Sequence, residues 1–292
     1  MDVKKIIIPI AGLATRFLPL SKSLPKELWP LIDKPVLMYI LEEAVASGIK
    51  EIIFISTPQK KEFWDHFRKK NKFLKKILSQ RGKEDILKEL EMFENFLSRI
   101  KFSEVFQDFP FGDGHAILQA RKKIKNEGVA IAFGDDVYLA KPPAILQLIK
   151  VFKKYQRPVV GLYRVPWKNV PFYGSIEGKK IGERTYLIKK IVEKPKIEEA
   201  PSNLVSSGRH VISPEVFLYL KKAKPNKKGE IVLAEVLQQM IEDGREIIGY
   251  EIKGEWLECG NKLNYLKSQI YLSLKDPRFK KDLREFVKKI LK

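Results

Sequence analysis

The chain has 292 residues, 44% of them hydrophobic, enough for a packed core in one large domain or two small ones. Its 56 Lys+Arg against 36 Asp+Glu leave a net charge of +20, but the lysines fall in short pairs at helical spacing, as in KKEFWDHFRKK and FKKDLREFVKKI, a pattern of solvated helix faces that does not call for a specific nucleic-acid partner. Apolar stretches such as IIIPIAGLA fall far short of the roughly 20 residues that span a bilayer, and the start MDVKK lacks the basic-then-apolar order of a signal peptide. No membrane partner is expected. A single cysteine, Cys259, excludes an internal disulfide and a cysteine cluster for zinc, in keeping with a reducing, cytoplasmic setting.

Over the first two-thirds of the chain, apolar strand candidates alternate with amphipathic helix candidates. This predicts an α/β fold with a Rossmann-like, mainly parallel sheet flanked by helices. Strands are predicted over residues 3–10, 51–56, 102–107, 129–133 and 158–164. Directly after the first comes AGLATRFLPLSKSLPKE. Small residues there let backbone N–H groups approach anionic oxygens, and Arg16, Lys22 and Lys26 supply positive charge, which suits a polyphosphate. An ordinary strand-to-helix connection with solvated cations explains the stretch equally well. In DKPVLMYILEEAVASG, Asp33 is the expected cap, Pro35 sits in the first helical turn and Gly48 ends the helix. Residues 59–100 are charged and helical beyond what one crossover requires and read as an insertion. After Tyr163 the pieces FYGSIEG and RTYLIKKIVEKP predict a hairpin or small mixed sheet laid over the carboxyl ends of the first strands, where open α/β sheets bind ligands. Helices are predicted over 214–222, 230–243, 262–274 and 278–291; the last pair packs on the core or joins copies of the chain.

Four further places concentrate polar groups at strand ends. In QDFPFGDGHAILQA, Gln107 ends a strand, and its amide can donate and accept at a nucleobase edge, with backbone groups of Gly112 and Gly114 beside it. A plain glycine turn accounts for the same residues. In FGDDV, Asp135 or Asp136 can bind Mg²⁺ carried by a nucleotide, or simply form a turn. In IVEKPK, Pro195 stops a strand and leaves Glu193 and Lys194 on opposite faces if strand geometry persists. Glu193 suits sugar hydroxyls and Lys194 a phosphate; an edge-strand ion pair is the alternative. In EWLECGNK, Glu258 stands beside a glycine turn.

Taken together, these motifs resemble those of the bacterial UTP–glucose-1-phosphate uridylyltransferases (UDP-glucose pyrophosphorylases), a branch of the sugar nucleotidyltransferases. The resemblance runs over nearly the whole chain, through AGLATRFLPLSKSLPKE, FGDGHAI, FGDDV, VEKPK, APSNLVSSGRHVI, KGEIVLAEVL and ECGNKLNY. It implies a single nucleotidyltransferase domain of GT-A type over 1–292. Within it, residues 1–164 would form the nucleotide-binding core with its helical insertion, 165–260 the sugar and metal portion, and 261–292 the closing helices. It further implies transfer of a uridylyl group from UTP to α-D-glucose 1-phosphate, with Mg²⁺ as cofactor and a homodimer or homotetramer as the assembly. Arg16 would hold the leaving phosphates and Lys26 the α-phosphate. Ala11 and Gly12 would line the nucleotide, while Gln107 and Gly112 would read uracil. Asp135 and Glu258 would bind Mg²⁺, Lys194 the phosphate of glucose 1-phosphate, and Gly174, Glu193 and Asn203 the glucose hydroxyls.

The chain departs from the pattern at several points. Ala14 stands where the family has a second glycine, and its methyl group resists positive φ. FGDGHA replaces KGLGHA and adds Asp113 near the base pocket, SSGRH replaces a more apolar VGR element, and Glu258 replaces an aspartate. The competing readings are a thymidylyltransferase or another sugar nucleotidyltransferase, and a catalytically silent relative that only binds.

Overall fold

The computed structural model describes residues 1–291. It opens with β1 (Val3–Pro9), the single turn α1 (Leu20–Ser23), the short strands β2 (Pro30–Leu31) and β3 (Lys34–Pro35), α2 (Val36–Ala46) and β4 (Glu51–Ser56). Three helices follow, α3 (Lys61–Arg68), α4 (Lys72–Gln80) and α5 (Glu84–Ser98). Next come β5 (Lys101–Phe106), α6 (Asp113–Gln119), β6 (Gly128–Ala132), β7 (Asp136–Leu139), α7 (Ala144–Tyr155) and β8 (Val159–Arg164). The hairpin β9 (Gly174–Lys180) and β10 (Thr185–Glu193) leads to β11 (Leu204–Ile212), α8 (Pro214–Lys222) and α9 (Leu233–Glu242). The chain closes with β12 (Ile248–Glu251), β13 (Glu255–Glu258), α10 (Lys262–Lys275) and α11 (Lys280–Ile290). Among the described residues no helix is long and apolar enough to cross a membrane.

Nine strands form one sheet in the order β5-β4-β1-β6-β11-β8-β12-β10-β9. The first four run parallel. From β11 onward the directions mix: β11 is antiparallel to β6 and β8, β12 is parallel to β8, and β10 is antiparallel to β12 and β9. The parallel sheet expected from the βα alternation is thus the first half of a mixed one. The hairpin, expected as a separate cover, continues the same sheet, which bends until β9 also meets β11 at Ser175 and Val205. Joining it removes an edge that two isolated strands would leave unpaired.

The run KKIIIPI is apolar at consecutive positions because β1 is covered on both faces. Ile6 and Ile8 join Leu37, Ile40, Phe54 and Phe152 in one apolar cluster, whereas Ile7 joins Ile53, Ile117, Ile131 and Phe217 in the other. All three isoleucines are fully buried, and each contributes roughly 2 kcal/mol of apolar transfer.

The start of α2 differs from its expected form. Residues 30–35 fold back as the β2–β3 hairpin, so Pro35 takes the capping position and α2 begins at Val36. Asp33, expected as the cap, lies in the hairpin turn and pairs with Arg278 near the carboxyl end of the chain. Gly48, at φ 84°, follows the helix in the left-handed conformation that glycine adopts most readily there.

Candidate active site

The loops leaving β1, β4, β5 and β6 converge at the carboxyl edge of the parallel strands, where such sheets bind ligands. Two cavities lie there, of about 280 and 230 Å³.

The loop after β1 is tied down from beneath. Ile10 N–H donates to the Ile55 carbonyl at 2.8 Å, which holds the chain in register one residue beyond the strand. Lys60, in the turn after β4, donates from Nζ to the carbonyls of Ile10 at 2.6 Å and Gly12 at 2.7 Å, and faces Glu27 Oε2 at 3.5 Å. Burial pushes the Glu27 carboxyl up despite Lys60, and burial pushes the Lys60 ammonium down despite Glu27. Ala14 takes a left-handed conformation at φ 51°, ψ 41°, which an alanine adopts at about 1 kcal/mol. Its methyl group therefore does not keep the loop from the positive φ that a glycine would take more cheaply. Phe17 anchors the far end of the loop against Trp29, with ring centroids 4.5 Å apart. Arg16 is exposed and lines the smaller cavity, whereas Lys22 is exposed and lines neither.

The larger cavity is walled by Ala11, Gly12, Lys26, Gln107, Gly112 and Asp113, among others. Gln107 is buried, and its Nε2 donates to the Gly112 carbonyl at 3.2 Å and meets His115 Nδ1 at 2.8 Å. Burial holds His115 below its usual range, favouring the neutral ring, and Nδ1 accepts this bond in the tautomer that carries its proton on Nε2. Gly112 sits at φ 95°, and a Cβ there would lie 2.4 Å from the Ile231 carbonyl oxygen, so only glycine fits.

The smaller cavity gathers Arg16, Asp135, Asp136, Gly174, Glu193, Lys194 and Glu258. Lys194, expected on the face opposite Glu193, instead turns to φ 47° as the strand ends, so both residues line one cavity with Nζ 2.9 Å from Glu193 Oε1. At Gly174 a Cβ would stand 3.1 Å from Glu193 Oε2, so the glycine leaves the carboxylate its place. Asn203 lines neither cavity, and its Oδ1 accepts from Arg164 at 3.2 Å.

The acidic residues are arranged by the β7–β13 ladder, which sets Glu258 opposite Asp136. Lys26 Nζ is hydrogen-bonded to Asp135 Oδ2. Burial opposes ionisation of Asp135, but Lys26 outweighs it and holds the carboxyl below the usual range. Asp136 is held well above that range by burial and by Asp135. It accepts from Trp256 Nε1 at 2.7 Å, and its backbone oxygen accepts from Arg209 at 2.6 Å. Burial also raises Glu258, which accepts from Gly260 N–H at 2.8 Å, from Asn261 at 2.8 Å and from Asn264.

The family model for nucleotidyl transferases matches residues 5–273. The chain belongs to the nucleotidyl transferase family. Among the relatives of this nucleotidyl transferase is a UTP–glucose-1-phosphate uridylyltransferase of Staphylococcus haemolyticus, 39% identical over 99% of each chain. A crystal structure of UDP-glucose pyrophosphorylase complexed with UDP-glucose superimposes with a TM-score of 0.84, at 34% identity over 94% of this chain and all of that one. A UTP-bound UGPase from Acinetobacter baumannii does so with a TM-score of 0.85, at 29% identity over 98% of each. Sequence reasoning about this nucleotidyl transferase missed Lys60, because its lysine pair was read as the start of the helical insertion. Its position four residues beyond a strand end was the available sign.

Proposed function

We propose that this nucleotidyl transferase converts UTP and α-D-glucose 1-phosphate to UDP-glucose and pyrophosphate. The observation that carries the reading is that the two cavities share Asp135, so that a nucleotide in one and a sugar phosphate in the other meet at one charged wall. The substrates named for the relatives fit that arrangement. Being small and water-soluble, they also fit a cytoplasmic enzyme.

In the larger cavity, Gln107 Oε1 would accept from uracil N3–H while its Nε2 stays fixed by Gly112 and His115. The Gly112 N–H, which makes no hydrogen bond with the described residues, would donate to a uracil carbonyl. The loop at Ala11 and Gly12 would present backbone to the triphosphate, with Arg16 at the leaving phosphates and Lys26 at the α-phosphate. In the smaller cavity, Lys194 would neutralise the phosphate of glucose 1-phosphate, and Glu193 would accept from its sugar hydroxyls. The attacking phosphate oxygen is already an anion, so no general base is required. The chain has to align two anions and offset charge on the pentacoordinate α-phosphorus and on departing pyrophosphate. Arg16, Lys26 and Lys194 do this by position. No covalent intermediate on the chain is needed.

Asp135 and Glu258 suit Mg²⁺. A Cβ at Gly260 would stand 2.8 Å from Asp135 Oδ2 and 2.5 Å from Glu258 Oε1, so the two oxygens face one small space that the glycine keeps open. Two carboxylates form the oxygen-only set that a hard cation prefers. When bound, the ion supplies Lewis-acid neutralisation of phosphate oxygens. Pyrophosphate release measured over four nucleoside triphosphates and several sugar 1-phosphates tests the proposal: UTP with glucose 1-phosphate should be the fastest pair, and a faster pair with TTP would replace it.

A further inference from the structure

Three residues line both cavities: Asp113, Phe133 and Asp135. Phe133 is apolar, and Asp135 already has a place in the charge arrangement. Asp113 is the remaining polar group on the shared wall, and nothing in the proposed chemistry uses it.

We infer that the Asp113 carboxylate reads a substrate hydroxyl where the nucleotide and sugar halves meet, a specificity contact that rests on the uridylyl-transfer reading above. The side chain is clamped on one oxygen and open on the other. Oδ1 accepts from Gly114 N–H at 2.7 Å and from Leu233 N–H at 3.0 Å, which ties the start of α6 to the start of α9 and fixes the rotation of the carboxyl group. Oδ2 has no hydrogen-bond partner among the described residues and is not one of the side-chain oxygens sealed from solvent without a partner. It therefore opens on the cavity. A carboxylate held in this way is a pre-positioned acceptor, and hydrogen bonds to it are stronger than those between neutral groups.

The partner has to be a donor. An ionised carboxylate only accepts, so phosphate oxygens are excluded as neighbours, and uracil N3–H belongs to Gln107 on the reading above. Sugar hydroxyls are the donors that remain, either on the ribose of the nucleotide or on the sugar of the second substrate. The charged groups facing the site from β10 and the turn after it are Glu193 and Lys194. Burial pushes the Asp113 carboxyl up to about 6, with Glu193 adding to the rise and the two backbone donors and Lys194 opposing it. At pH 8 the group is ionised.

The test is a substrate-side double-mutant cycle on the full-length chain at pH 8. Asp113→Asn keeps an acceptor for Gly114 and Leu233 but turns the open oxygen into a donor. The value of kcat/KM is measured for UTP with glucose 1-phosphate, for 2′-deoxy- and 3′-deoxy-UTP, and for the 2-, 3-, 4- and 6-deoxy analogues of glucose 1-phosphate. The wild-type chain should lose roughly tenfold or more on one analogue, the loss expected when a site built to bind a hydroxyl meets a substrate without it. Asp113→Asn should lose about as much on the complete pair, with its further penalty on that same analogue shrinking to within about twofold. A deoxy-UTP analogue showing this compression assigns the ribose, and a deoxy-sugar assigns the acceptor. Asp113→Ser, which also keeps a hydrogen-bond acceptor, is carried through the same panel so that the result does not hinge on one variant folding. An active wild-type chain with variants that lose the same factor on every pair, or lose nothing, overturns the contact alone. A wild-type chain that forms no nucleotide sugar overturns the uridylyl-transfer reading, and the contact with it.

Discussion

Lys60 Nζ donates to the Gly12 carbonyl at 2.7 Å, joining the turn after β4 to the loop after β1. The same ammonium binds the Ile10 carbonyl and faces buried Glu27. Lys60→Met should therefore do two separable things. Leaving Glu27 buried without its cation should cost about 3 kcal/mol of stability. Releasing the loop should raise KM for UTP roughly tenfold, as the loss of charge-assisted bonds to two carbonyls implies. Adding Glu27→Gln should recover much of the urea midpoint but not the KM. Recovery of both would show that Lys60 only balances Glu27 and does not position the loop.

Lys194 leaves its strand at φ 47°, beside Glu193 and in the smaller cavity. A positioned cation that meets charge developing in the transition state contributes about 3 kcal/mol. Lys194→Ala is expected to lower kcat at least a hundredfold at saturating glucose 1-phosphate. A raised KM with normal kcat would confine the residue to ground-state binding.

Asp113 also leaves a signature in stability. Its folded pKa of about 6 lies above the ordinary value of 3.8, chiefly because burial disfavours the charge. The folded state therefore holds the proton more tightly than the unfolded chain, and stability falls as pH rises between those two values. The effect is absent below about pH 4, complete above about pH 6, and on the order of 3 kcal/mol. Thermal melts of wild type and Asp113→Asn should diverge over this window, with the wild type losing more. Parallel curves from pH 4 to 7 would mean that the carboxyl is not held up by its surroundings.

Much of this was legible in the sequence, for reasons that particular residues make plain. Consecutive isoleucines in β1 announce a strand buried on both faces, and the charged or amide groups directly after the strands mark the convergent loops. Arg16, Gln107, Asp135, Glu193, Lys194 and Glu258 all line one of the two cavities. What was not legible depends on long-range pairing or on the backbone conformation of single residues. The β-prone residues of RTYLIKKIVE mark β10 as a strand but do not show that its neighbour is β12. Opposite faces for Glu193 and Lys194 followed from strand geometry, which ends one residue earlier than assumed. Asp33 looks like a cap until a tight hairpin turns it toward Arg278, and the side-chain oxygen of Asn203, expected at the sugar, accepts from Arg164. At Ala14 the tertiary contacts of the loop override the local preference of alanine.

The central claim is that one bond forms between glucose 1-phosphate and the α-phosphorus of UTP while pyrophosphate leaves. Phosphorus NMR of the chain with UTP, glucose 1-phosphate and Mg²⁺ observes both products in one spectrum. The account predicts UDP-glucose and pyrophosphate appearing in equal amounts as both substrates decline, without inorganic phosphate. Pyrophosphate without UDP-glucose, release of inorganic phosphate in its place, or an unchanged spectrum would contradict it.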